Sequence, residues 1–273
     1  MSSLSVKYKS LNTYFHYDSF ESIPNYNYIV YLDCSEIGLT KLPELPNNLI
    51  ELKCWNNYLT ELPKLPNELK KLICQCNQFT SIPSLPNCLE YLKCSHNQLT
   101  SLPSFSKCLT CLDCSNNKIT ELPELPDSLK TLNCSNNKLL TLPKLPNSLE
   151  RFNCSHNELN KLPILPNSIY LIQCYGNKLT KLPTLPNSLQ ILTCYFNQLT
   201  SLPNLPNTLT NLYCGYNKLT SLPLLPSLLE SLQCNFNMLS MLPSIPDKLE
   251  KLYCVDNRFI KLRYKYIKKI MYM

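Results

Sequence analysis

Apolar and polar positions along this chain follow a repeating frame of 20 residues. Cysteine returns at Cys34, Cys54, Cys74, Cys94, Cys114, Cys134, Cys154, Cys174, Cys194, Cys214, Cys234 and Cys254. Two residues before it stands Leu, replaced once by Phe152 and once by Ile172. Three residues after it stands Asn, from Asn57 to Asn257, with Ile37 in the first copy. Two positions further on come Leu39, Leu59, Phe79, Leu99, Ile119 and their successors. The unit reads L-x-x-L-x-C-x-x-N-x-L-T-x-L-P-x-L-P-N-S, as from Leu129 to Ser148, and twelve copies hold one register over 29–257. Self-similarity at this period means stacked units, each too small to bury its apolar column alone.

Each column has a physical role. The x-Leu-x stretch predicts a short strand whose alternate side chains face opposite sides, so Leu and Cys enter the core while their neighbours face out. Cysteine serves there as a small buried hydrophobe. The Asn amide sits where the chain leaves the strand and can bond backbone groups of its own and adjacent coils. Leu-Pro-x-Leu-Pro excludes a helix, because proline lacks an N–H and restricts the residue before it, and predicts an extended or polyproline II return. The expected architecture is a mainly β solenoid with one short parallel strand per repeat. At the amino-terminal end, 1–28 form a cap with a degenerate half-repeat at Ile23-Pro24 and Ile29, its aromatic cluster Tyr14, Phe15, Tyr17 and Phe20 covering the first open coil. At the other end, 258–273 form a second cap, where Ile260, Tyr264, Ile267 and Met271 follow the spacing of an amphipathic helix.

The pattern Leu-Pro-x-Leu-Pro-x-x-Leu-x-x-Leu-x-Cys-x-x-Asn resembles the short, 20-residue class of leucine-rich repeats, typified by type III secreted effectors of enterobacterial pathogens. The cysteine column and the Asn, Lys and Tyr bias also resemble leucine-rich repeat proteins of giant DNA viruses of amoebae. The resemblance covers 29–257. It implies a horseshoe with parallel strands lining a concave face, and a protein-binding role, host-directed if viral or effector-like. Some effectors of this class append a ubiquitin-ligase domain with a catalytic cysteine; the 16 residues after 257 leave no room for one, so ligase activity is not expected.

Composition sharpens this. The chain has 22 Pro, 16 Cys, 3 Gly and no Ala, with a formal charge of +7. Six cations, Arg258, Lys261, Arg263, Lys265, Lys268 and Lys269, lie in 258–273 without an acid; removing them from the 26 Lys and Arg leaves 20 against 19 acids. The body therefore lacks the basic face that phosphate binding needs, and contact of the tail with nucleic acid or an anionic membrane stays a secondary reading. No run of 18 apolar residues predicts a membrane span, and the first residues lack a signal-peptide pattern. Column cysteines point the same way, a poor geometry for bridges, which predicts reduced thiols and a reducing, cytoplasmic compartment, the host cytoplasm if the protein is viral. Cys76, Cys88, Cys108 and Cys111 fall off the column, and a zinc site from Cys88, Cys108 and Cys111 matches no ligand spacing. His96 and His156 share a column three coils apart, roughly 14 Å at the strand spacing, too far for a base and its partner. His16 falls in the cap, and Gly38, Gly176 and Gly215 assemble no phosphate loop. The expectation is a non-enzyme without metal, cofactor or small-molecule substrate.

The outward columns carry the information about function. Repeats two to four place mixed charge there: Glu51, Lys53, Lys71 and Lys93. Repeats five to seven place small polar residues: Ser115, Asn116, Thr131, Asn133, Ser135 and Asn136. Repeats eight to twelve turn apolar and aromatic, with Leu171, Tyr175, Ile191, Tyr195, Phe196, Tyr213, Tyr216, Phe236 and Tyr253. A clustered, rigid aromatic surface is what interface hot spots use, which makes these nine residues the candidate protein-binding site. Two readings stay open. The aromatics bind a macromolecular partner, or Phe196, Tyr216 and Phe236 stack on one another to stiffen a structural scaffold or particle component.

Overall fold

The computed structural model describes residues 3–9, 11 and 13–259; the helix expected over 260–273 lies outside the described residues. The chain divides into two compact units, Met1–Lys138 and Leu139–Met273.

In the first unit, strand β1 is Leu4–Tyr8, β2 Phe15–Tyr17, β3 Ile29–Asp33, β4 Glu51–Lys53, β5 Lys71–Ile73, β6 Tyr91–Lys93, β7 Cys111–Asp113 and β8 Thr131–Asn133. Strands β3 to β8 are parallel and pair at a constant offset of one repeat: Leu32 opposite Leu52, Leu52 opposite Leu72, and so on to Leu112 opposite Leu132. In the second unit, β9 (Arg151–Asn153), β10 (Leu171–Gln173), β11 (Ile191–Thr193), β12 (Asn211–Tyr213), β13 (Ser231–Gln233) and β14 (Lys251–Tyr253) repeat the arrangement, from Phe152 opposite Ile172 to Leu232 opposite Leu252. The Leu-Pro-x-Leu-Pro segments between them contain neither helix nor strand. Each ends in a tight turn, as where the Leu69 N–H donates to the Pro66 carbonyl at 3.1 Å. Proline fixes the entry angle of that turn and Asn suits its next position. The serine that follows bonds to the coil before it, as Ser128 Oγ does to the Leu109 carbonyl at 2.7 Å.

The amino-terminal edge of the parallel stack is closed by β1, which pairs antiparallel with β3 on one side and β2 on the other. Its alternation buries Leu4 and Val6, at 1% and 0% exposure. The sequence reading assigned this covering role to the aromatic cluster. Tyr14 is instead exposed, packing edge-on against Tyr31 at 5.0 Å and under the Lys7 ammonium at 5.7 Å, and Phe15, Tyr17 and Phe20 are half-buried. An open strand edge needs backbone donors and acceptors as well as apolar cover, and a five-residue strand supplies both.

Within each coil the core is the expected set: Leu49, Leu52, Cys54 and Leu59 are fully buried, and the same positions recur along the chain. The Asn column binds coil to coil. Asn77 Nδ2 donates to the Cys74 carbonyl of its own coil at 3.2 Å and to the Cys54 carbonyl of the coil before at 2.9 Å. Its Oδ1 accepts the Leu59 N–H at 3.0 Å. Asn137 repeats the pattern with Cys134, Cys114 and Ile119. The residue just before each Asn is held in the left-handed region, with φ of 55° at Asn56, 53° at Asn136 and 50° at Phe196, as is Glu36 before Ile37 in the first coil, at 61°.

One sequence expectation changes here. Ser115 and Ser135 are not outward; they are buried at 4% and 5%, their hydroxyls donating to Asp113 and Asn133 carboxyl and amide oxygens at 2.7 and 2.8 Å. A short side chain at that position folds back over the strand end. Asn136 is outward as expected, on a backbone conformation that disfavours most side chains.

The column cysteines are free thiols, and burial pushes those of Cys134, Cys174 and Cys214 up to about 12. Cys76 and Cys108 are exposed, Cys88 and Cys111 half-buried.

Two measurements follow from this packing. Asn137→Ala strips a half-buried clamp and is expected to lower stability by about 1–3 kcal/mol. Asn136→Ala forces alanine into the left-handed region at about 1 kcal/mol, whereas Asn136→Gly should stay within about 0.5 kcal/mol. Urea midpoints rank the three, and equal midpoints for Asn137→Ala and Asn136→Gly would remove the clamp from the account. The second measurement concerns pH. A thiol whose pKa is raised by folding contributes stability that is intact below the unfolded thiol's pKa and is lost as pH climbs toward the folded value. The loss is about 1.4 kcal/mol per thiol per pH unit. Melting temperature should therefore be flat from pH 6 to 8 and drop steeply between pH 9 and 10; a flat profile through pH 10 would place the column in water.

Candidate functional site

In the second unit, the outward strand face carries a continuous run of rings. His156 meets Tyr175 edge-on at 4.9 Å, Tyr175 stacks on Tyr195 at 4.4 Å, and Tyr195 meets Phe196 edge-on at 5.4 Å. Phe196 then stacks on Tyr216 at 4.1 Å and Tyr216 on Phe236 at 4.3 Å. Of the nine candidate residues, five are joined in this run. Leu171 and Ile191 pair as half-buried residues of β10 and β11, with the column of Gln173 and Thr193 between them and the rings. Tyr213 and Tyr253 occupy the far column of β12 and β14, separated by Gln233, and the Tyr213 hydroxyl accepts from Asn211 Nδ2 at 3.0 Å. Burial, then the neighbouring Tyr175 hydroxyl, raises the Tyr195 phenol above its ordinary value, so it remains a hydrogen-bond donor at neutral pH.

The run changes column between Tyr195 and Phe196, and two of the chain's three glycines mark the change. Gly176 takes the left-handed position at φ 66°, where a Cβ would lie 2.6 Å from His156 Nδ1, so the imidazole leans into the space a side chain would fill. Gly215 leaves room in the other column for Asn235, whose Oδ1 would be 2.8 Å from a Cβ there. The sequence reading weighed His156 only as a catalytic base and left it out of the aromatic surface. The glycine one coil later was the available signal.

The backbone under Phe196, Tyr216 and Phe236 bears on both readings of the rings. These residues have φ of 50°, 52° and 51°, a region that costs an ordinary L residue about 1–2 kcal/mol. Elsewhere the same position holds Asn56, Asn116, Asn136, Asp256, Gly176, His96 and His156, residue types that tolerate it, and also Glu36 and Cys76, which bear the same strain. Stacking returns about 0.5–1.5 kcal/mol per pair, and the three rings remain 39–50% exposed. Strain and stacking are thus of similar size and opposite sign.

In the first unit, the outward face is charged. Lys53 lies 3.6 Å from Glu51 and 3.9 Å from Asp33, Lys71 lies 3.7 Å from Glu51, and both Lys71 and Lys93 sit over the Tyr91 ring at 5.6 and 5.4 Å. Burial lowers the Lys53 pKa, but the Tyr31 hydroxyl, Glu51 and Asp33 outweigh it and the net shift is upward. An open cleft of ≈ 900 Å³, lined among others by Tyr8, Phe15, Tyr17 and Tyr28, contains none of the nine candidate residues. Among the described residues, no group of three His, Cys, Asp or Glu could hold a metal ion, and no helix is long and apolar enough to cross a membrane.

Known proteins share this construction. Profiles described as Leucine Rich repeats (2 copies) and Leucine Rich Repeat match 89–127 and 128–147. YopM from Yersinia pestis, described as a leucine-rich effector protein, is 35% identical with a TM-score of 0.68, over 84% of this chain and 78% of that one. The chain belongs to the leucine-rich repeat family. YopM from Yersinia enterocolitica WA-314 is 34% identical at TM-score 0.75 over 86% of this chain, which spans 57% of that protein's length. The functional domain of InlJ from Listeria monocytogenes, described as including a cysteine ladder, shares the fold at 24% identity and TM-score 0.60, over 95% of this chain and 69% of that one. Comparison with curated proteins found no match. The leucine-rich repeat solenoid is typically a non-enzymatic scaffold for protein–protein interaction.

Replacing Phe196, Tyr216 and Phe236 together by Asn removes two stacked pairs and the edge contact of Tyr195 with Phe196, and relieves three strained positions. Stability should change by no more than about 1 kcal/mol in urea unfolding, whereas a loss above about 3 kcal/mol would assign the rings to stiffening.

Proposed function

We propose that this leucine-rich repeat protein is a non-enzymatic, effector-like interaction module whose protein partner docks on the outward strand face of repeats eight to twelve. The observation that carries this is the aromatic trio, kept exposed on backbone that favours Asn or Gly. The neighbouring residues Tyr175, Tyr195, Leu171 and Ile191 extend the surface, and Tyr213 and Tyr253 border it. Rigid aromatic rings give contact area at small entropic cost and dominate interface energetics. The free thiol column supports a reducing compartment such as the cytoplasm. The charged face of the first unit, already internally paired, serves to steer approach rather than to anchor.

Affinity capture from cell lysate, followed by titration of the captured partner, tests this. The Phe196, Tyr216 and Phe236 to Asn variant should weaken binding at least a hundredfold, since each buried aromatic anchor is worth about 2 kcal/mol or more. Exchanging Lys53, Lys71 and Lys93 for Gln should alter association rate and salt dependence only. A folded trio variant that binds at unchanged affinity would defeat the proposal and favour the scaffold reading.

A further inference from the structure

Stacking fixes which part of each ring a partner can reach. The interplanar angles are 22° for Phe196 and Tyr216 and 16° for Tyr216 and Phe236. Tyr216 has a neighbour on each face, and Phe196 and Phe236 each have one face covered by it. Because the rings stack from coil to coil, their planes run outward from the surface and they present edges. Ring edges carry the positive side of the aromatic quadrupole, ring faces the negative side. A ligand that binds by lying flat on an aromatic face, as nucleobases and sugars do, or a cation that needs such a face, finds both faces of Tyr216 and one face each of Phe196 and Phe236 occupied. Groups that suit an edge are the faces of other aromatic rings and oxygen atoms bearing negative charge.

The charges beside the rings have the same preference. Each Asn of the clamp points inward, so the residues on either side of it both point out: the aromatic position just before and one other just after. In the second unit that following position holds Glu158, Lys178, Gln198, Lys218, Met238 and Arg258. Lys178 is paired with Glu158 at 2.8 Å. Lys218 and Arg258 are exposed and form no ion pair among the described residues. On the opposite border of the strands the exposed residues include Glu230 and Glu250. The aromatic column continues into the exposed Asp256, and across the strands Glu230 and Glu250 lie among the exposed cations Arg151 and Lys251, so the unpaired cations beside the rings are Lys218 and Arg258.

Building on the interface proposed above, we infer that the partner presents an acidic polypeptide segment carrying aromatic side chains. Its rings meet the edges of Phe196, Tyr216 and Phe236, and its carboxylates reach Lys218 and Arg258. Selection of a displayed library of random twelve-residue peptides on the full chain tests this, followed by titration of individual synthetic winners. The enriched sequences should place Phe, Tyr or Trp within two residues of Asp or Glu. The exposed, unpaired cations allow a double variant, K218E/R258E, which should weaken each winner at least tenfold at low salt with the melting temperature unchanged. The Asn trio variant should abolish binding. Enrichment of basic or charge-free peptides, absence of any enriched peptide, or competition won by a single-stranded oligonucleotide or a hexasaccharide would overturn the inference. Acid-poor winners combined with partner capture that still needs the trio would discard the acidic partner and leave the interface standing; a trio variant with unimpaired capture would discard the interface itself.

Discussion

The carboxamide of the repeated Asn is the interaction on which the remainder of the structure depends. It reaches two carbonyls in successive coils and accepts one N–H, so it fixes the spacing between coils and the direction in which the chain leaves each strand. Leucine and cysteine burial provides the driving force, but apolar contact is non-directional and would tolerate sliding. The amide does not. The residue before it stands in the left-handed region, as Glu36 does even before Ile37, and that turn geometry decides which side chains the surface column accepts without strain. The amide thus sets the register of a turn that also governs how the surface is composed.

The solenoid was legible in the sequence because every repeat states it again: Cys at 20-residue spacing, Leu two before, Asn three after, and proline where a helix would otherwise form. The inward or outward sense of β4 to β14 followed from strand alternation. What escaped was local and unrepeated. Strand β1 occurs once, and its Leu4-x-Val6 alternation is too short to stand out beside an aromatic cluster. Ser115 and Ser135 read as outward by position, yet a hydroxyl can fold back onto its neighbour where a Tyr at the same place cannot. The likeness to giant-virus repeat proteins rests on residue bias, which a fold does not record.

At the candidate site, the sequence pointed to the aromatic columns but not to their continuity. That Tyr175 and Tyr195 sit in one column and Phe196, Tyr216 and Phe236 in another is evident from numbering. That they join needs Gly176 and Gly215, positions informative only once the coils are stacked. His156 belongs to the run for the same reason. Strain was invisible as well, since φ is not written in residue type; only the preference for Asn and Asp at this place hinted at it.

The constant pairing offset between neighbouring strands has an evolutionary consequence. Because each coil makes its amide and strand bonds with its immediate neighbours at a fixed 20-residue spacing, a duplicated or deleted block of that length rejoins in frame structurally as well as genetically. Unequal recombination within such a gene lengthens or shortens the surface by one row at a time. Recognition can then be rebuilt by copying and editing rows, while the fold is inherited whole.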